Sequence, residues 1–393
     1  MMPQRWTDVS PSTTASDPHS HSDKSAPADL NGRKGNLISL PAIAPQPQES
    51  SSDRPTVVPL KPSASAKARS RSGSVDQEEK EGVGADFRGH NLRLANLSRA
   101  NFRKADLSTA DLYSANLRES NLREAILIQA DLTEADLSLA DLRQARLVKA
   151  NLPYAILYTA SLCDVDFQEA ICHHADLREV DLNAANLQQA DFTAANLSYA
   201  DCGRCDISQA QLTQVNLREA VLRHVKGENA ILHQATLIRA DLSNTGFRYA
   251  DLTQAHLQQA IFSHADLTEA RLTDANLSEA TFYSSCLRRA DLNRVQAMAT
   301  TFSRADLQEA QFQHAQLPSA NFYNANLSKA VLSQANLGAA IFCGTDLRGA
   351  NLRGANLQGA NLRDADLRGA DLRQARLNDT NLQEANTEGA ILD

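Results

Sequence analysis

Leu or Phe recurs every five residues from Phe87 to Leu392. This makes 62 centre positions, of which 56 hold Leu or Phe; the exceptions are Cys172, Cys202, Ile207, Gly227, Ala297 and Thr387. Two residues before each centre lies a second position, filled by Ala in 49 of the 62 repeats. A period of five fits neither regular structure. On a helix each repeat rotates the Leu by about 140°, which smears it around the axis. On a strand an odd period sends successive Leu to opposite faces. The remaining solution has every repeat turn a corner, so that all the centres point to one axis. That is a solenoid. The Ala also points inward, where only a small side chain fits. The Asp or Asn between them suits a corner, because Asx side chains bond nearby backbone groups.

The repeats Ala95-Asn96-Leu97-Ser98-Arg99 and Ala365-Asp366-Leu367-Arg368-Gly369 resemble the A(D/N)LXX unit of the pentapeptide repeat family. The resemblance covers residues 85 to 392. It implies an all-β fold, a right-handed quadrilateral parallel β-helix with four repeats to each coil of 20 residues. On that plan the chain holds about 15 coils, about 75 Å of stack at ~4.8 Å per coil. It also implies a cyanobacterial type of protein, because the family is especially numerous there. One internal observation supports the coil length. Phe262, Phe282, Phe302, Phe322 and Phe342 recur at a spacing of 20. A ring in one coil favours another directly above it.

Residues 1–82 have a different character. They hold 10 of the 12 prolines and 15 serines, with no Phe and a balance of 10 basic and 10 acidic residues. Such a segment buries too little apolar surface to offset the entropy of ordering, so 1–82 reads as a disordered Ser/Pro-rich tail and 83–393 as the β-helix. Leu37, Ile38, Leu40, Ile43 and Pro45 form an apolar strip within the tail. Lys61, Lys67, Arg69 and Arg71 form a basic run among serines. These read either as a docking motif with a phosphorylatable switch or as a solvated tail. Val75 to Gly82 is a candidate cap for the first coil.

Six Cys in 393 residues make no disulfide framework, which points to a reducing compartment. No run of 18 apolar residues suggests a membrane span, and Met1 to Ser10 lacks an apolar signal core. A cytoplasmic protein is the expectation.

Some members of the family mimic duplex DNA and bind gyrase, which requires a strongly acidic stripe. The register sorts the outward residues into four sides. The side of Leu107 and Leu127 carries 10 basic and 13 acidic residues, that of Leu112 and Leu132 carries 5 and 9, that of Leu117 and Leu137 carries 6 and 7, and that of Leu122 and Leu142 carries 8 and 8. Duplex DNA carries about one charge per 1.7 Å, some forty over this length. The mimic is therefore the alternative, and direct nucleic-acid binding is not expected.

Cys202 and Cys205 have C-x-x-C spacing, used in redox and metal chemistry, but they fill a centre and an inner position and read as core replacements. Cys172, His173 and His174 alternate inside and outside, so they do not converge on a metal. No cofactor is expected. Gly344, Gly349, Gly354, Gly359 and Gly369 stand at corners and read as turn residues. Gly227 and Ala297 interrupt the core. They read as tolerated defects, filled in part by Met298 or Val225, or as bends in the stack.

Clustered apolar residues in outward positions mark a partner surface. Ile128 and Val148 lie one coil apart on one side, while Leu139, Tyr154, Ile156 and Tyr158 gather near another corner. These six are the candidate partner-binding residues. Tyr283 and Tyr323, beside the Phe series, form a weaker candidate. The open tip after Leu392 is a place for end-to-end pairing with a second copy. Together these features point to a non-enzymatic scaffold or regulator touching an unknown protein partner, such as a transporter or other complex.

Overall fold

The computed structural model describes residues 82–392, all within one compact unit, Asp53–Asp393. The segment expected to be a tail, the strip at Leu37–Pro45, the basic run and the expected cap lie, but for Gly82, outside the described residues.

Each repeat makes one side of a coil. The Asx residue forms a parallel bridge with the residue 20 positions on, from Asp86↔Asp106 to Asp371↔Ile391. Four sides therefore close one coil, and each coil stacks in register on the next. The sides are too short to make extended strands: one bridging residue stands between consecutive turns. Parallel β pairing is thus present as single bridges, because a five-residue period leaves room for little more between corners.

The hydrogen-bond pattern explains how the corner is held. Leu97 N–H donates to the Asn116 carbonyl at 2.7 Å, Asn116 N–H to Ala95 at 2.9 Å and Arg99 N–H to Arg118 at 2.9 Å. Within the repeat, Ala100 N–H closes the turn on the Leu97 carbonyl at 3.1 Å. The Asx side chain adds a further bond, as where Asp106 Oδ1 accepts Ser108 N–H at 3.0 Å. The second turn residue has a left-handed backbone in repeat after repeat, non-glycine residues included, such as Glu279 at φ 61°. The five corner glycines adopt the same conformation, with φ from 64° to 67°.

Inside, Leu, Phe and Ala are almost wholly buried from Phe102 to Ala370. Burying one Leu stabilises by roughly 1.5–3 kcal/mol, so the stack is held by many similar nearest-neighbour contributions. Most hydroxyls that replace Ala find a carbonyl: Ser285 Oγ donates to the Phe282 carbonyl at 2.8 Å and Thr345 Oγ1 to Phe322 at 2.7 Å, while Ser120 Oγ is buried without a partner. The spaced phenylalanines form a continuous ladder. Phe262–Phe282, Phe282–Phe302, Phe302–Phe322 and Phe322–Phe342 stack with centroids 4.8, 5.1, 5.1 and 4.9 Å apart.

The interruptions differ from expectation. A Cβ at Gly227 would lie 2.5 Å from Phe247 Cε1, so the ring one coil on occupies the missing side chain's place. Val225 is buried in its own inner position, and Met298 is 54% exposed and does not fill the space at Ala297.

Candidate functional site

The inner positions are filled by the buried core, and the six candidate residues all stand in outward positions. The structure divides the six candidates into two groups. Ile128 and Val148 stand directly above one another on the side of Leu127 and Leu147, half-buried, with Gln129 N–H donating to the Val148 carbonyl at 3.0 Å. Leu139, Ile156 and Tyr158 belong to the side of Leu137 and Leu157, two sides further around the coil. Tyr154 occupies the corner leading into that side. The two groups therefore do not form one surface.

The second group forms a connected patch. Ile156 bridges Asp136 and Asp176 in the adjacent coils, and Leu139 N–H donates to the Tyr158 carbonyl at 3.0 Å. Leu139, Tyr154, Ile156 and Tyr158 are 47%, 57%, 41% and 36% exposed. Leu139 and Tyr154 sit at the left-handed corner position, with φ of 61° and 59°. The corner geometry projects them outward where an inward-facing residue would be buried.

Polar neighbours hold Tyr158. Tyr158 OH donates to Glu179 Oε1 at 3.3 Å, and the Arg178 guanidinium lies 5.3 Å from the Tyr158 ring centroid. Arg178 also forks onto Asp176, with Nε and Nη2 at 2.7 and 2.6 Å from its two oxygens. That bond holds the Asp176 carboxyl below the usual carboxylate range. The patch is therefore an apolar centre with a charged rim, the arrangement found at protein interfaces.

Two members of the surface escaped the sequence reasoning. His174 stacks on Tyr154, centroids 5.0 Å apart and planes 4° from parallel, and Ile171 is 39% exposed nearby on the preceding side. The signal was present: residues 154 and 174 are 20 apart. In the sequence, His174 stands out only beside Cys172 and His173, as part of a ligand-like cluster. Cys172 is buried, and its thiol is pushed above its usual range by that burial.

The other cysteines show why thiols fit this core. Cys202 and Cys205 are buried and free, and Cys205 Sγ donates to the Leu182 carbonyl at 2.9 Å. The hydrogen bond with Cys205, together with burial, raises the Cys202 pKa. Among the described residues no His, Cys, Asp and Glu gather as a metal-binding group. No helix among them is long and apolar enough to cross a membrane.

A family profile described as pentapeptide repeats matches in overlapping segments that run from 83 to 294 and from 298 to 393. The break falls at Val295, Gln296 and Ala297, where the core Leu is replaced. Among solved structures, the chain is similar to HetL, a pentapeptide repeat protein involved in heterocyst differentiation regulation from the cyanobacterium Nostoc sp. strain PCC 7120. The identity is 32% over 56% of this chain and 90% of that one, with a TM-score of 0.30. Rfr23, a pentapeptide repeat protein from the cyanobacterium Cyanothece 51142, is 32% identical over 33% of this chain and 64% of that one, with a TM-score of 0.16. A trypsin-treated form of QnrB1, a plasmid-mediated fluoroquinolone resistance protein, is 17% identical over 57% and 89% of the two chains, with a TM-score of 0.29. No curated protein matches the chain.

Proposed function

The chain belongs to the pentapeptide repeat family, and from this premise we propose that it is a non-enzymatic scaffold or regulator that presents outward residues to a protein partner. The stack would comprise about 15 right-handed coils on the family's plan, preceded by a solvated tail over 1–82, and it would work in the cytoplasm. The partner surface is the patch of Leu139, Tyr154, Ile156 and Tyr158, extended by His174. Ile128 and Val148 form a separate contact on another side.

The observation that carries this reading is the exposure of four large apolar side chains in one place, on a stack whose other apolar residues are mostly in the core. Tyr supplies contact area with little loss of rotamer freedom, and charged neighbours at the rim set orientation.

The test is a paired affinity purification with wild-type chain and with Ile156→Asp/Tyr158→Asp. Both changes place a charge outside the core, so the fold is retained, and matched thermal melts verify that. A protein held by wild type, lost by the variant and rebound after purification supports the patch. A supercoiling assay with purified gyrase distinguishes the alternative: inhibition at stoichiometric protein would favour the DNA mimic over the scaffold.

A further inference from the structure

The side that covers the Phe ladder carries an unusual surface. Its fifteen outward residues from Ile261 to Gly344 include a single charged residue, Arg304, in a chain that is 22% charged. Lower on the same side, one coil alone carries Arg123 and Glu124 and the next Asp141 and Arg143. Arg304 is itself engaged: its Nη1 donates to Tyr283 OH at 3.1 Å. Apolar groups take the place of charge. Ile261, Tyr323 and Ile341 are 40%, 46% and 39% exposed.

The residues that follow the ladder phenylalanines alternate in size: Ser263, Tyr283, Ser303, Tyr323, Cys343. Tyr323 is 46% exposed and Tyr283 half-buried, while Ser303 between them is 8% exposed, so the column alternates aromatic and small side chains. Beneath them the stacked rings fix the spacing from coil to coil.

We propose that this surface pairs with the same surface of a second copy, the two stacks running antiparallel, with Tyr323 of one over Ser303 of the other and Tyr283 over Cys343. Charge supports self-pairing. The chain carries a net −8, so two copies repel, and the approach is least opposed where charge is absent. Periodicity supports it as well. Both surfaces repeat at ~4.8 Å, so large side chains meet small ones along the whole contact. Symmetry supplies the register. A twofold axis along the strand direction reverses the stack and lays each column of side chains on itself. With the axis between the coils of Thr301 and Asn321, large residues fall on small ones at each level. The same placement sets Arg304 opposite Asn324 and keeps the two guanidinium groups apart.

The contact involves twelve outward residues per copy, Thr281 to Gly344, against about 20–30 for a standard interface. The pair is therefore weak and reversible. It leaves the Tyr158 patch open in both copies, so a pair would present two partner surfaces and gain from avidity.

Sedimentation of the full chain over a concentration series tests the proposal. The average mass is expected to rise from 42.7 kDa towards twice that value as concentration increases. Tyr323→Asp should weaken association about tenfold or more, as loss of an interface aromatic does, while leaving the melting curve in place. A bis-maleimide that spans about 10 Å, the spacing of packed sheets, should join Tyr283→Cys chains into dimers, and adding Cys343→Ser should abolish that product. Mass constant at 42.7 kDa across the series would overturn the proposal. So would a dimer that Tyr323→Asp leaves intact, or cross-linking that survives Cys343→Ser.

Discussion

The ring of Phe247 fills the space left by Gly227: a Cβ there would stand 2.5 Å from Cε1 and 2.7 Å from Cδ1 of that ring. Gly227 has an ordinary backbone conformation, since it is not among the residues of positive φ. Its lack of a side chain is therefore a packing requirement. One coil gives up a Leu so that the next can hold an aromatic, and the core remains filled.

This pairing makes a direct prediction. Gly227→Ala should destabilise the chain by about 1–3 kcal/mol through overpacking. Phe247→Leu added to it should recover most of that loss, because a shorter side chain frees the space. Chemical unfolding of the two single variants and the double variant measures the coupling. Additive losses would show that the two residues pack independently.

The corner glycines separate strain from crowding. Gly359 has φ of 67°, and a Cβ there would meet nothing within 4 Å. Gly359→Ala should therefore cost only the left-handed penalty, about 1–2 kcal/mol. Thermal melting compared with Gly227→Ala tests this, with Phe247→Leu expected to give no rescue at the corner.

The Phe ladder should lose more from its middle than from its end. Phe302 stacks on Phe282 and Phe322, both at 5.1 Å, and meets Phe312 edge-on at 5.9 Å. Phe342 stacks on Phe322 alone, at 4.9 Å. With about 0.5–1.5 kcal/mol per aromatic pair, Phe302→Leu should destabilise more than Phe342→Leu. Amide exchange should place the loss in the adjacent coils. Equal losses for the two would count against ring stacking as the source.

Acid should loosen the outer surface through the Asp–Arg forks. Asp371 and Asp86 are held down to about 2, first by the side-chain bonds from Arg373 and Arg88, then by the backbone N–H of the same residues. The folded pKa lies below the ordinary Asp value of about 3.9. Their contribution is thus complete above about pH 4 and is lost as pH falls through the folded value. Melting temperature should decline between about pH 4 and pH 2, with Arg373→Met reducing the slope. A flat profile in that window would show that the forks add nothing to folding.

Much of this architecture was legible because one period dominates the chain. Leu97 and Leu117 had to face one axis, and the Phe spacing of 20 fixed how the coils stack. The outward residues are less legible. Tyr154 and Leu139 stand out in the sequence as outward apolar residues, but only the left-handed turn shows how they project from the corner. His174 looked like part of a ligand cluster, yet its neighbour is Tyr154 one coil below. At Gly227 the composition of its own repeat suggested a void, because the compensating atom belongs to Phe247, 20 residues on. Sequence period determines what points inward; contacts between coils decide what the surface offers.

The most direct measurement is the binding of a purified partner, first identified by the paired purification, to wild-type chain and to Ile156→Asp/Tyr158→Asp by titration calorimetry. The account predicts a saturable heat with the wild-type chain and a loss of about tenfold or more in affinity with the variant, the scale expected for removing central apolar contacts. Equal affinity for both chains, with matched melting curves, would contradict it.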